Sequence, residues 1–455
     1  MVPEPSATGN SKLGRRDDER GIGCGGRNPA VRSCAGHSKR RGLRRHPVAG
    51  QTQLMQALRT VLPLLAALFA LTACVSRPSL HPPRGPWGSE VLQRIPARTF
   101  GVQTGLVQEV TYSGEPLGGK PTTVFAYLGR PDPARWGTRN LPGMILVHGG
   151  GGKAFKEWAD HWAQRGYLAL AMDLAGHGAS GRLPDGGPEQ GDDLKFRNFT
   201  EAEVREMWTY HAVSAVVLGH SLLRSLPEVD PSRTGLTGIS WGGYLTCIVA
   251  GLDTRFKVAV PVYGCGFLGD NSHWTDKSLA AMSPASRALW LKEFDPGEYL
   301  GGVRCPILFL NGTSDFAYPL DSYQKSYRRV SEKYRHISVN IDLPHGHIWT
   351  FPEVDAFVDQ YLRKGKRVAT IGTTTVRAHR AESSVSSEVG LKEAKLCFTT
   401  DSGPWQKRAW KSVPARIEGS RVVAEIPDGR PLIGYLSVTD ERGVRISGEH
   451  FGMTQ

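Results

Sequence analysis

A serine set between glycines is the best-placed nucleophile in this chain. It stands in Gly238-Ile239-Ser240-Trp241-Gly242-Gly243, after the apolar run Thr234–Ile239 and before an apolar stretch from Tyr244. A sharp strand-to-helix turn leaves no room for side chains beside its apex, and Gly238 and Gly242 meet that demand. The hydroxyl then projects at the carboxyl end of a sheet, and the N-terminus of the following helix favours negative charge developing beside it. Such a serine attacks an acyl carbon once a base takes its proton.

The chain order serine, acid, histidine puts the partners downstream. Asp315 follows the apolar run Pro306–Gly312 in Asn311-Gly312-Thr313-Ser314-Asp315-Phe316, at a strand's carboxyl end, where ligands of open sheets gather. Asn311, Gly312 and Ser314 are turn formers, so a turn aspartate is the competing reading; order and position favour the acid. Leu343-Pro344-His345-Gly346-His347-Ile348-Trp349 offers two histidines one residue apart, of which one faces Ser240. Negative charge on the substrate oxygen calls for fixed N–H donors. Trp241, the residue after the nucleophile, supplies one. Gly150, in His148-Gly149-Gly150-Gly151-Gly152, supplies the second, with Gly149 or Gly151 as alternatives. Read as a phosphate loop, this glycine run lacks the Lys-Ser/Thr that would follow it. Phe155, Trp158, Phe316 and Trp349 flank these loops and line a pocket or pack the core. The loop Asp173–Ser180 shapes the crossover and the pocket wall.

The elements that position these residues alternate. Apolar runs at 143–148, 167–173, 234–240, 257–263, 306–312 and 336–343 read as strands buried on both faces. Helical patterns over 156–165, 201–226, 244–251 and 320–334 lie between them, and 121–129 reads as an antiparallel edge strand. The pattern predicts a mostly parallel sheet with helices on both faces. After residue 385, period-two alternation punctuated by Gly, Pro and Asp predicts a small all-β domain of sandwich type.

Thr237–Thr246, Leu308–Tyr327 and Pro344–Trp349 together resemble the dienelactone-hydrolase, acetyl-xylan-esterase and prolyl-oligopeptidase-like branch of the α/β hydrolases over about residues 100–365. The resemblance implies an eight-stranded sheet, a Ser240–Asp315–His347 triad, and no metal or organic cofactor. Related Gly-His loops place their histidine five residues before Pro-Glu; His347 fits that spacing to Pro352-Glu353, with His345 as the alternative base. The segment Thr399–Ala415 resembles the β domain appended to bacterial proteins related to the PhoPQ-activated group. Two departures favour a serine esterase. The interval before the first hydrolase strands is too short for a β-propeller of the prolyl-oligopeptidase kind, and Ser240 stands where dienelactone hydrolases carry cysteine.

Charge is concentrated in the first 54 residues, which hold eleven Lys/Arg against four Asp/Glu in a chain of net charge +13. This Gly-, Arg- and Ser-rich segment has no apolar period; the basic excess therefore gives no reason to expect a nucleic-acid partner. Met55–Cys74 has a signal-peptide layout, with Arg59, an apolar run from Val61 to Leu71 and a lipobox-like Leu71-Thr72-Ala73-Cys74. The expected organisation is an extension over 1–54, outside the native frame or without fixed structure, and a signal peptide with lipobox over 55–74. A linker over 75–90, an α/β-hydrolase domain over 91–365, a second linker over 366–385 and a β-sandwich-like domain over 386–455 complete it. Lipid attachment at Cys74 puts the protein in a bacterial cell envelope; simple secretion is the alternative. Cys247, Cys265, Cys305 and Cys397 read as buried free thiols, with pairing as the alternative. The expected activity is cleavage of carboxylic esters, acetylated polysaccharide among them. The alternatives are a serine peptidase acting on short peptides and an inactive surface protein that binds glycan or a partner.

Overall fold

A computed structural model describes residues 85–88, 91, 94–341 and 343–453. The readings for 1–54, for the signal peptide and Cys74, and for most of the linker 75–90 lie outside the described residues. Trp87, inside that expected linker, is fully buried: its indole N–H donates to the Tyr210 carbonyl at 3.1 Å and its ring stacks on Tyr210. Among the described residues, no helix is long and apolar enough to cross a membrane.

The apolar runs form one large sheet. Its strands are β1 (Arg98–Thr104), β2 (Val107–Ser113), β3 (Thr123–Gly129), β4 (Leu141–Val147), β5 (Leu168–Met172), β6 (Val229–Ile239), β7 (Val258–Val262), β8 (Ile307–Gly312) and β9 (Arg335–Asn340). Their spatial order is β1-β2-β3-β5-β4-β6-β7-β8-β9. Strands β4 to β9 run parallel, and β1, β2 and β3 join antiparallel. The sheet is nine-stranded, where the resemblance implied eight, and β3 lies inside it rather than at its edge. The added strand β1 is exposed at every residue, so no hydrophobic alternation marks it in the sequence. Strands β4, β5, β7 and β8 are buried at every position, as continuous apolar runs require.

Helices α1 (Lys156–Gln164), α2 (Trp208–Arg224), α3 (Trp241–Leu252), α4 (Pro284–Phe294), α5 (Leu320–Arg328) and α6 (Pro352–Leu362) fill the connections. The pattern expected to be helical from 201 starts as a 3₁₀ turn over Glu201–Glu206 and becomes α-helical at Trp208. Parallel register sets Val147 opposite Gly238, Ile239 opposite Val262, and Gly312 opposite Asn340. The loops after β4, β6, β7, β8 and β9 therefore leave the sheet at one end.

The C-terminal part holds two five-stranded antiparallel sheets. One contains β10 (Thr370–Ile371), β11 (Thr375–Arg377), β12 (Arg380–Ser386), β15 (Arg416–Glu418) and β16 (Arg421–Glu425). The other contains β13 (Leu391–Thr399), β14 (Lys411–Pro414), β17 (Leu432–Asp440), β18 (Arg445–Ser447) and β19 (Phe451–Met453). The stretch 366–385 is thus not a linker: β12 pairs with β16 from Arg380↔Glu425 to Ser384↔Arg421, and its short, Ser-rich alternation concealed it. The large sheet and the β region share one compact unit and a continuous apolar core. Strand β18 lies along β9, where the Ser447 hydroxyl accepts the Val339 N–H at 2.7 Å and the Ser338 hydroxyl donates to the Arg445 carbonyl at 2.7 Å.

Candidate active site

Ser240 sits at the turn between β6 and α3 with φ 60° and ψ −119°. Such a backbone costs a non-glycine residue about 1–3 kcal/mol. Its surroundings enforce it: the Ser240 N–H donates to the Val262 carbonyl and the Tyr244 N–H to the Ser240 carbonyl, each at 2.9 Å. The glycines are steric necessities. A Cβ on Gly238 would lie 2.2 Å from the Gly242 carbonyl oxygen, and one on Gly242 would lie 2.0 Å from that of Val147.

His345, not His347, stands between Ser240 and Asp315. Its Nε2 is 2.8 Å from Ser240 Oγ and its Nδ1 is 2.7 Å from Asp315 Oδ2. Asp315 is buried, and its other oxygen, Oδ1, accepts the N–H groups of Ala317 and Tyr318 at 2.9 and 2.7 Å. The His345 ring stacks on Tyr263 at 4.6 Å, and the Tyr263 hydroxyl donates to the Pro344 carbonyl at 2.8 Å. The expectation for His347 fails because the loop makes a tight turn there, with the Ile348 N–H donating to the Gly346 carbonyl at 3.0 Å. The turn sends the exposed His347 ring toward the glycine loop, where it meets Phe155 at 5.1 Å and Trp349 at 5.8 Å. Spacing to Pro-Glu measures distance along the chain; it does not show this reversal.

The glycine loop lies against the nucleophile. A Cβ on Gly149 would come within 2.9 Å of Ser240 Cβ, and one on Gly150 within 2.8 Å of the Trp241 ring. Buried His148 fastens this loop to the next one. The Leu174 N–H donates to His148 Nε2 at 3.0 Å, which leaves Nδ1 to donate to the Gly149 carbonyl at 2.8 Å. Burial lowers the pKa of His148 and keeps it neutral, as that arrangement needs. The Asp173–Ser180 loop is the crossover turn expected, with Asp173 Oδ1 accepting the N–H groups of Ala175 and His177.

The pocket candidates divide. Phe155 and Trp349, 4.4 Å apart, form a wall with His347; Trp158 stacks on Trp349 but is buried and serves as packing. Phe316 is 53% exposed and leans on His345 at 4.9 Å and on His273 at 5.5 Å. On the other side, Trp241 packs on Trp274, Tyr244 and Trp208. Buried Lys195 sets its ammonium 4.4 Å from the Trp241 ring and 3.1 Å from Asp192 Oδ1. Sequence reasoning missed Tyr263, His148, Lys195 and Trp274. Tyr263 and His148 each follow a strand's carboxyl end and were accessible to that rule; Lys195 and Trp274 had no local signal. Cys247, Cys265, Cys305 and Cys397 are buried free thiols. Among the described residues, no cluster of His, Cys, Asp or Glu could hold a metal.

Residues 92–298 match the acetyl xylan esterase (AXE1) family model. That span contains Ser240 and the glycine loop and ends before Asp315 and His345. The chain is 31% identical over 111 residues to an uncharacterized peptidase, YuxL, of Bacillus subtilis strain 168, covering 22% of this chain and 16% of that protein. It is 24% identical over 221 residues to the acetyl esterase Axe7A of Xylanibacter ruminicola, covering 43% of this chain and 47% of that one. The chain thus spans less than half the length of these curated relatives. Among solved structures, an acetyl xylan esterase from Paenibacillus sp. R4 superposes with a TM-score of 0.48 at 19% identity, covering 60% of this chain and 92% of that one. The family match bears out the resemblance read from the sequence, that of an α/β-hydrolase of the acetyl-xylan-esterase-like branch.

Proposed function

We propose that this α/β-hydrolase is a serine hydrolase that cleaves carboxylic esters, acetyl esters of polysaccharide among them, through an acyl-enzyme on Ser240. The observation that carries the reading is the chain of contacts from Ser240 Oγ through His345 to Asp315, at 2.8 and 2.7 Å. His345 Nε2 takes the hydroxyl proton as Oγ bonds to the acyl carbon, while its Nδ1–H stays on Asp315, which orients the ring and offsets the imidazolium charge. The N–H groups of Trp241 and Gly150 receive the carbonyl oxygen as it becomes negative. His345 then returns the proton to the departing alcohol, and water, activated by the same ring, releases the acid. The family match over 92–298 supports acetyl as the acyl group. The open wall of Phe155, His347, Trp349 and Phe316 suits a broad leaving group.

Purified protein assayed on p-nitrophenyl acetate tests the reading. Ser240→Ala abolishes turnover and fluorophosphonate labelling if it holds; wild-type turnover in that variant rejects it, and failure of the probe to label folded wild-type protein revives an inactive binding role. The 111-residue segment that is 31% identical to an uncharacterized peptidase supports a second reading, aminoacyl-amide cleavage at the same triad. A panel of short acyl esters against aminoacyl-arylamides separates the two. Envelope anchoring through Cys74 belongs to the same proposal, and palmitate labelling that persists in Cys74→Ser rejects it.

A further inference from the structure

We propose that the C-terminal β region is a positioning element of the triad, holding the loops that carry His345 and Asp315 through Arg445 and Arg408. The inference rests on the serine-hydrolase reading above. The His345 loop runs between Asn340, the last residue of β9, and Glu353, in the first turn of α6. Both ends are tied to one residue of β18. Arg445 Nη1 donates to Asn340 Oδ1 at 2.6 Å, and the Arg445 backbone N–H donates to Glu353 Oε1 at 3.3 Å. Asn340 and Glu353 are both buried, so these bonds act away from water, where losing one partner is costly.

Asn340 is also the junction to the acid. Its backbone carbonyl accepts the N–H of Thr313, two residues before Asp315, at 3.0 Å. The β region reaches that loop a second time, where the Ser314 hydroxyl donates to the Arg408 carbonyl at 3.4 Å. Beside it, Gln406 Nε2 donates to Asn271 Oδ1 at 3.0 Å, and Asn271 holds both carboxylate oxygens of Asp321 at the start of α5. A base must stay within hydrogen-bond reach of the proton it takes. A displacement of about 1 Å in such a group lowers rate about a hundredfold. The sheet alone fixes the strand ends. Tyr263 holds Pro344 from the end of β7, and the two ends of the His345 loop depend on what grips Asn340 and Glu353.

The test uses the full chain with p-nitrophenyl acetate, Ser240→Ala serving as the control for the underlying reading. Arg445→Met removes the side-chain bond to Asn340 and keeps both the aliphatic stem and the backbone bond to Glu353. The expected result is a kcat lower by about 10- to 100-fold with KM within about twofold, and slower fluorophosphonate labelling of Ser240. Arg445→Lys, which keeps a cationic donor, restores most of the rate. If Arg445→Met melts below the assay temperature, Asn340→Ser, which withdraws the acceptor, carries the same expectation. Wild-type kcat in the folded variants, or a loss confined to KM, overturns the positioning role while an inert Ser240→Ala leaves the hydrolase reading standing. Turnover by Ser240→Ala overturns both.

Discussion

Among the described residues stand two aspartate–histidine–hydroxyl relays, one rooted at the carboxyl end of β6 and the other at its middle. At the carboxyl end of β6, Ser240 Oγ, His345 and Asp315 are linked at 2.8 and 2.7 Å. At its midpoint, Thr234 Oγ1, His220 and Asp253 are linked at the same two distances. The differences lie in what surrounds them. Thr234 sits in regular strand opposite Gly143 and is fully buried, as is His220, whose ring stacks on Phe256 at 3.6 Å. The Arg255 guanidinium adds two bonds to Asp253, one on each oxygen, at 2.7 Å, and its backbone N–H a third to Oδ1 at 3.1 Å. Ser240 is half-buried on a left-handed turn beside a glycine loop. Relay geometry alone therefore does not distinguish the site proposed to catalyse from the buried one. Access, a strained nucleophile and N–H donors beside it make the difference. The inner relay ties α2, β6 and the end of α3 together.

The largest effect expected from breaking this comparison is at the outer relay. Ser240→Ala or His345→Ala lowers kcat by about 10⁴- to 10⁶-fold on p-nitrophenyl acetate, with the melting temperature nearly unchanged, whereas His347→Ala stays within about tenfold. A His347→Ala variant as inert as His345→Ala would reverse the assignment. At the inner relay the loss is in stability. Asp253→Ala leaves Arg255 without its buried partner and costs about 3–5 kcal/mol, read from urea denaturation, with kcat in the folded fraction preserved. Thr234→Val keeps the shape, strands His220 Nε2 and costs about 1–3 kcal/mol. An intact denaturation midpoint in Thr234→Val would show that the relay contributes nothing to the fold.

The smallest effect is in pH. Burial lowers the pKa of His220, with Asp253 pulling the other way, and lowers that of His336 to about 4 and of His450 to about 3. Folded protein then binds fewer protons than unfolded chain below about pH 6.5. Stability therefore falls as pH drops through 6.5, by up to about 1.4 kcal/mol per histidine per pH unit. Asp295, raised to about 6 by burial, opposes this between pH 6 and 4. The net expectation is a melting temperature lower at pH 5 than at pH 7.5, and a smaller difference in His220→Gln.

Ser240, Asp315 and the glycine loop were legible because each is a local event: a strand ends and a turn of fixed chemistry follows. The role of Gly238 and Gly242 follows from the turn itself, and the close approaches they permit give the reason. Which of the two histidines meets Ser240 was not legible, because the choice depends on a turn at His347 and on Tyr263, some 80 residues upstream, gripping Pro344. The inner relay was invisible for the same reason, since His220, Thr234 and Asp253 sit within or at the ends of separate elements with no motif between them. The β region was recognised by its period of two, yet its first strands passed for a linker. The contact of Arg445 in β18 with Asn340 spans 105 positions, and no local pattern announces it.

The two edges of the large sheet differ in one further way. Along β9, the hydroxyl of Ser447 occupies the Val339 N–H, and β18 covers the flank. At the other margin β1 is exposed throughout and interrupted by a bulge between Phe100 and Gln103. Bulges of this kind twist an edge away from flat pairing. Among the described residues, open backbone for strand addition to this sheet thus lies on the β1 side. Among the described residues, two copies that met at β1 would each cover the other's open margin and leave no matching edge of this sheet for a third.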